Sequence, residues 1–83
     1  MNIENEIRNI AKKSNFMAKN KSVSLAIGSN QINRWWFTDK KNNLVSSERG
    51  LTDIEALQWL AAENLAEIHR VRNLLKIIDE DEG

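Results

Sequence analysis

Few side chains in this chain could do covalent chemistry. The 83 residues include one His, His69, and no Cys or Tyr. A nucleophile–base pair would have to join a Ser to that one His. Ser14, Ser22, Ser24, Ser29, Ser46 and Ser47 stand in no nucleophile-elbow or triad context. His69 falls beside a helical seam, an ordinary surface position. Glu63 and Glu67 share a helix face with Arg70 at the spacing of ordinary charge pairs. Asp79, Glu80, Asp81 and Glu82 lack the spacing and the glycine of a calcium loop. Three Gly in the whole chain make no phosphate-cradling loop. The residue types therefore point to binding rather than catalysis, with no metal and no cofactor.

Binding chemistry is better represented. In Arg34-Trp35-Trp36-Phe37, strand geometry sends Trp35 and Phe37 one way and Arg34 and Trp36 the other. A small sheet with a helix on one face buries one of these sets, which leaves one Trp partly exposed. Exposed Trp beside Arg has the composition of an interface hot spot and also suits base stacking. Both rings in the core is the competing arrangement. The partner-binding set is Arg34, Trp35 and Trp36, with Lys40 and Lys41 in the next loop and Arg49 beyond it. A second candidate is the heptad from Ile54 to Ile78, whose seam includes Leu57, Asn64, Ile68, Val71 and Leu75, with Leu60, Leu65 and Leu74 widening the face. A polar residue such as Asn64 in a seam can fix the register of a homodimeric coil. The same stripe also serves a helix packed on its own sheet.

The elements that must position these residues read as follows. Ile3, Ile7, Ile10 and Ala11 recur on one helical face, capped by Asn2, giving a short helix within residues 1–15. Val23, Leu25 and Ile27 alternate, so residues 21–27 read as a strand. Residues 31–38 and 44–47 complete a three-stranded meander over 21–48, with turns at Gly28-Ser29-Asn30 and Asp39–Asn43. Thr52-Asp53-Ile54-Glu55 is a capping box that opens a long helix over 52–79. Residues 80–83 form an acidic tail. The expectation is a single α+β domain over 1–83: a short N-terminal helix, a three-stranded antiparallel sheet and a long C-terminal helix. Its small size limits it to one modest core.

Net charge is zero but unevenly spread. Residues 1–50 carry nine Lys/Arg against four acids, a net +5, and residues 51–83 carry three against eight, a net −5. A basic half suits nucleic acid and an acidic half suits a basic partner, while two opposite ends also attract each other within one domain. No stretch approaches the roughly 18 apolar residues of a membrane span, and Met1–Ile10 is not a signal peptide. With no Cys, these features suit a reducing cytoplasm.

Three resemblances bear on function. Ala26 to Trp35 resembles the turn and recognition helix of helix-turn-helix regulators and transposase DNA-binding domains. That resemblance implies that Ser29, Asn30, Gln31, Asn33 and Arg34 read base edges in a major groove, followed by a dimerising helix. The segment Lys21–Ser24 departs from it by alternating like a strand. Met1-Asn2-Ile3, Ile7-Arg8 and Ile10 resemble the opening of a small prophage anti-CRISPR family that plugs an effector nuclease and also runs helix, three strands, helix. That family mimics DNA with acidic loops, whereas the loop here carries Lys40 and Lys41. Arg49-Gly50-Leu51-Thr52 with Glu55-Ala56 and Trp59 is similar to the hairpin-to-helix junction of sheet-reading DNA-binding modules of phage integrases. The leading expectation is a non-enzymatic phage or mobile-element protein in the host cytoplasm. It would inhibit a host protein or protein–nucleic acid complex by steric occlusion, as anti-CRISPR proteins do. The alternative is a sequence-specific DNA-binding regulator with a helix-turn-helix around residues 18–37 and a dimerising C-terminal helix.

Overall fold

A computed structural model describes residues 2–24 and 31–82. Helix α1 (Ile3–Lys13) leads into an antiparallel hairpin of β1 (Met17–Ser24) and β2 (Gln31–Thr38). Helix α2 (Asp53–Glu63), a 3₁₀ turn (Leu65–Glu67) and helix α3 (Ile68–Glu82) follow. The class is α+β, but the sheet has two strands among the described residues and the C-terminal half is not one helix.

Each boundary has a local cause. The Asn2 side chain accepts from the Asn5 amide at 3.2 Å and starts α1. Asn15 then turns left-handed (φ 66°), Phe16 N–H bonds Ala11 O at 2.9 Å, and Asn15 N–H bonds Lys12 O at 3.1 Å. That is a Schellman ending with Asn in the usual glycine place. It aims the chain straight into β1 at Met17, four residues before the strand expected at 21–27. Residues 25–27 of that expected strand, and the Gly28-Ser29-Asn30 turn, lie outside the described residues. At α2, Thr52 and Glu55 exchange both bonds of a capping box.

The expected third strand, residues 44–47, does not form. Thr38 and Leu44 make one isolated bridge, and Val45 N–H bonds Phe37 O at 3.0 Å. The Phe37 amide, however, is taken by the Ser46 hydroxyl at 2.9 Å rather than by a backbone carbonyl, so the ladder stops. Leu44 and Val45 stay exposed, so no buried face holds the segment in register. The edge of β2 is closed further along by Leu51, which trades both backbone bonds with Trp35 at 2.8 and 2.9 Å.

The expected long helix breaks at Asn64, where the backbone is extended (φ −139°, ψ 89°). Its side chain explains the break. Oδ1 accepts from the Ala66 amide at 3.3 Å, and Nδ2 donates to the Ser14 hydroxyl at 2.9 Å. Asn64 therefore restarts the helix and ties it to the end of α1. Leu65, which a continuous helix would bury, is 70% exposed. The expected dimer seam is dispersed by the same break. Leu57 and Val71 sit in the chain's own core, and Ile68 and Leu75 are half-buried against it.

That core joins Ile7, Ile10 and Ala11 of α1, Trp35 and Phe37 of β2, and Leu57, Leu60, Val71 and Leu74 of the later helices. Each large apolar side chain buried there contributes about 1.5–3 kcal/mol. A ladder of rings runs through it: Trp35 stacks on Phe37 (centroids 6.3 Å), Phe37 on Trp59 (4.9 Å), and Phe16 tilts against Trp59 (5.0 Å).

Two outcomes are expected. Asp53→Ala leaves the Trp35 indole N–H without its 2.6 Å carboxylate partner and should cost about 1–3 kcal/mol in urea unfolding. A change near zero would mean water replaces that bond. Asn64→Leu restores the apolar seam but removes the cap and the tie to Ser14, and should destabilise by about 1 kcal/mol. A stabilised Asn64→Leu protein would show that the helix prefers to run through.

Candidate nucleic-acid or protein interface on the outer hairpin face

Register decides which side chains gather. Ala18 pairs with Phe37 and Asn20 with Trp35, and Trp35 and Phe37 face the core, fully buried. Strand alternation then sends their neighbours to the opposite face. There Lys19 pairs with Trp36 and Lys21 with Arg34. Directly opposed residues of this kind have Cβ atoms about 4.5–5.5 Å apart, so Lys19 stands against the half-buried indole and the Lys21–Arg34 pair lies two residues further along the same face. Lys19 and Lys21 are exposed, and Arg34 and Trp36 are half-buried.

Trp36 is pinned rather than projecting. Its Nε1 donates to Glu48 O at 3.0 Å. Its six-membered ring lies on Gly50, where an added Cβ would come within 2.8 Å of Cζ2. Gly50 also has φ +80°, a conformation costly for other residues. Arg34 Nη1 donates to Gly50 O at 3.4 Å, so the 48–50 loop underlies both side chains. In front of the ring is an open groove of about 480 Å³, lined by Lys19, Asn20, Lys21, Trp36, Thr38, Asn42 and Leu44. Lys19 Nζ donates to Asn42 Oδ1 at 3.1 Å, which steers the ammonium across the groove. The Thr38 hydroxyl is buried with no hydrogen-bond partner among the described residues, a state that costs roughly 1–3 kcal/mol.

On this face Lys19 and Lys21 pair with no carboxylate among the described residues, while Arg34 shares its field with Glu55. Among the described residues the ion pairs are Glu4–Arg8 (3.4 Å) and Glu6–Arg70 (2.6 Å). Neither involves a cation of this face. Asp39, at the adjacent turn, is occupied by its own loop. It accepts from the Lys41 and Asn43 amides at 2.8 and 2.9 Å. The Asn43 amide, chiefly, holds its carboxyl below the usual range. Glu55 is likewise held low, first by the Thr52 amide of the capping box.

Of the partner-binding set expected from sequence, Trp36 lines the groove, Arg34 stands on the same outer face with its guanidinium on Gly50 O, and Trp35 belongs to the core. Lys40 and Lys41 are exposed on the turn after β2, and Arg49 is exposed in the loop under Trp36. Of the expected base-reading set, Ser29 and Asn30 lie outside the described residues. Gln31, Asn33 and Arg34 stand on β2, not on a recognition helix, and Asn33 accepts from the Ser22 hydroxyl at 3.0 Å. Lys19, Lys21, Thr38, Asn42 and Leu44 were absent from the expected sites. The signal for the lysines was present: Lys19 and Lys21 are two apart, and a strand beginning at Met17 places both opposite Trp36 and Arg34. His69 is exposed on α3. No group of three His, Cys, Asp or Glu that could hold a metal exists among the described residues. Nor is any described helix long and apolar enough to cross a membrane. Compared with known proteins, the chain matches no family model, no curated protein and no solved structure.

Two measurements probe this geometry. Gly50→Ala should destabilise by more than about 1 kcal/mol, because strain in φ adds to the contact with the indole. It should also displace Trp36, seen as a shifted indole N–H resonance. An unmoved resonance would show that the ring does not rest on Gly50. Asp39 has a folded-state pKa below its unfolded value, so its contribution is complete above the ordinary carboxylate range and is lost as pH falls through the depressed value. The Lys41 and Asn43 amide shifts should therefore titrate with a midpoint below about 3.9, and a midpoint above it would contradict the bonding described.

Proposed function

We propose that this protein is a non-enzymatic binding protein of phage or mobile-element type that inhibits a host protein–nucleic acid machine by seating the outer face of its hairpin on it. The observation that carries the reading is Trp36. It is half-buried and fixed from behind by Gly50 and the Glu48 carbonyl, with Lys19 and Lys21 beside it on the outer face and paired with no carboxylate among the described residues. A preorganised aromatic beside two lysines that no carboxylate pairs with is suited to an anionic partner surface. Lys40, Lys41 and Arg49 extend the same charge beyond the groove. The anti-CRISPR resemblance supplies the kind of machine, and the host cytoplasm is where such a machine works. Occlusion needs no catalytic group.

The alternative, a DNA-binding regulator, passes from the helix-turn-helix to the sheet. Gln31–Thr38 is a strand, and the Arg49–Thr52 junction similar to that of integrase modules lies beside the outer face.

The test uses reconstituted CRISPR effector nucleases cleaving a target with their guides. The protein should slow at least one of them. Lys19→Glu/Lys21→Glu changes two exposed side chains, so the fold should survive. That variant should raise the inhibitory concentration at least tenfold, about 1.4 kcal/mol. A folded variant that inhibits as the parent does would remove the face from the reading. No inhibition of any effector, with specific retention of one duplex sequence instead, would favour the regulator.

A further inference from the structure

We infer that the groove in front of Trp36 takes a single-stranded nucleic acid, with one base stacked on the indole and the flanking phosphates on Lys19, Lys21 and Arg34. This deepens the occlusion reading and rests on it: the anionic surface met by the hairpin would be exposed strand rather than protein.

Three features favour a strand over an acidic protein surface. First, the indole N–H is already spent on the Glu48 carbonyl, so Trp36 offers ring surface and no hydrogen bond. A protein hot spot usually inserts its Trp into the partner's pocket. Here the ring is held back on Gly50 and lines a shallow, open groove, so it presents a face for stacking rather than a projecting side chain. A flat base fits that role, and stacking contributes about 1–3 kcal/mol per base whatever the sequence. Second, the groove of about 480 Å³ lies in the range of small-ligand sites, about 300–1,000 Å³. That is room for a nucleotide, whereas bases stacked inside a duplex cannot enter. Third, the cations form a row. Lys19 and Lys21 are two residues apart on one strand, about 6.8 Å, and Arg34 stands across from Lys21. An extended backbone can run along such a row. The Lys19 ammonium keeps donors free beyond its bond to Asn42.

Fluorescence anisotropy of a labelled pyrimidine-rich 12-mer, as DNA and as RNA, tests this against the duplex of the same sequence. The single strand should bind at least tenfold tighter than the duplex. Three neutralised phosphates give a log–log salt slope of about −2, so raising salt from about 50 to 200 mM should weaken binding roughly twentyfold. Lys19→Gln/Lys21→Gln should weaken it at least tenfold while leaving the unfolding midpoint unchanged. Trp36→Phe, which keeps a ring, should retain most of the affinity that Trp36→Leu loses. Equal or tighter duplex binding would overturn the inference. So would binding indifferent to both the lysine pair and the ring. Effector inhibition that depends on Lys19 and Lys21 without any strand binding would also overturn it, leaving the occlusion reading with a protein surface as partner. Absence of both strand binding and inhibition would end both readings.

Discussion

The burial of Trp35 is the constraint on which the other elements depend. Its backbone closes the edge of β2 against Leu51, and its indole N–H reaches Asp53 in the first turn of α2. The Arg8 guanidinium lies 5.3 Å from its ring centroid, and Arg8 also donates to Ala18 O of β1. One side chain thus meets α1, the hairpin, the following loop and α2. A domain of this length has only about 4–12 kcal/mol of net stability, and a large buried aromatic is worth several of them. The orientation of β2 is therefore not negotiable, and the outward position of Trp36 follows from the two-residue period of the strand.

The two faces of the hairpin consequently do different work with adjacent residues. Inside, rings stack from Trp35 through Phe37 and Trp59 to Phe16. Outside, an indole of the same kind is backed by a loop whose one small residue, Gly50, permits the approach. The chain's charge asymmetry is resolved only in part by folding. Glu6 and Arg70 join the two ends, while Lys19 and Lys21 pair with no carboxylate among the described residues.

Much of this was legible from residue types. The alternation around Trp35 separates the two ring sets, and Thr52–Glu55 marks where α2 begins. What could not be read depended on partners distant in sequence. Lys19 looks like a loop residue, and Lys21 like the first of a strand, until the ending at Asn15 sends the chain into a strand at Met17. Leu44 and Val45 have strand-forming side chains, but Ser46 intercepts the Phe37 amide that a third strand would need. Asn64 fits a heptad seam as well as it fits a cap, and the choice is made by Ser14, fifty residues earlier. Periodicity reports what a segment can bury, not whether a side chain from elsewhere will take its backbone.

The tie between Glu6 and Arg70 spans 64 residues of chain. During synthesis at about 5–20 residues per second, the first helix waits roughly 3–13 seconds before its partner has even been made. Until then Ile7 and Ile10, which end with no exposed surface, lack the α2 and α3 part of their core. Order comes in part from the last third of the molecule, so a nascent chain stalled before α2 presents an amphipathic helix with only the hairpin to lie on. The cell's chaperones would meet this protein first as a half-covered stripe of isoleucines.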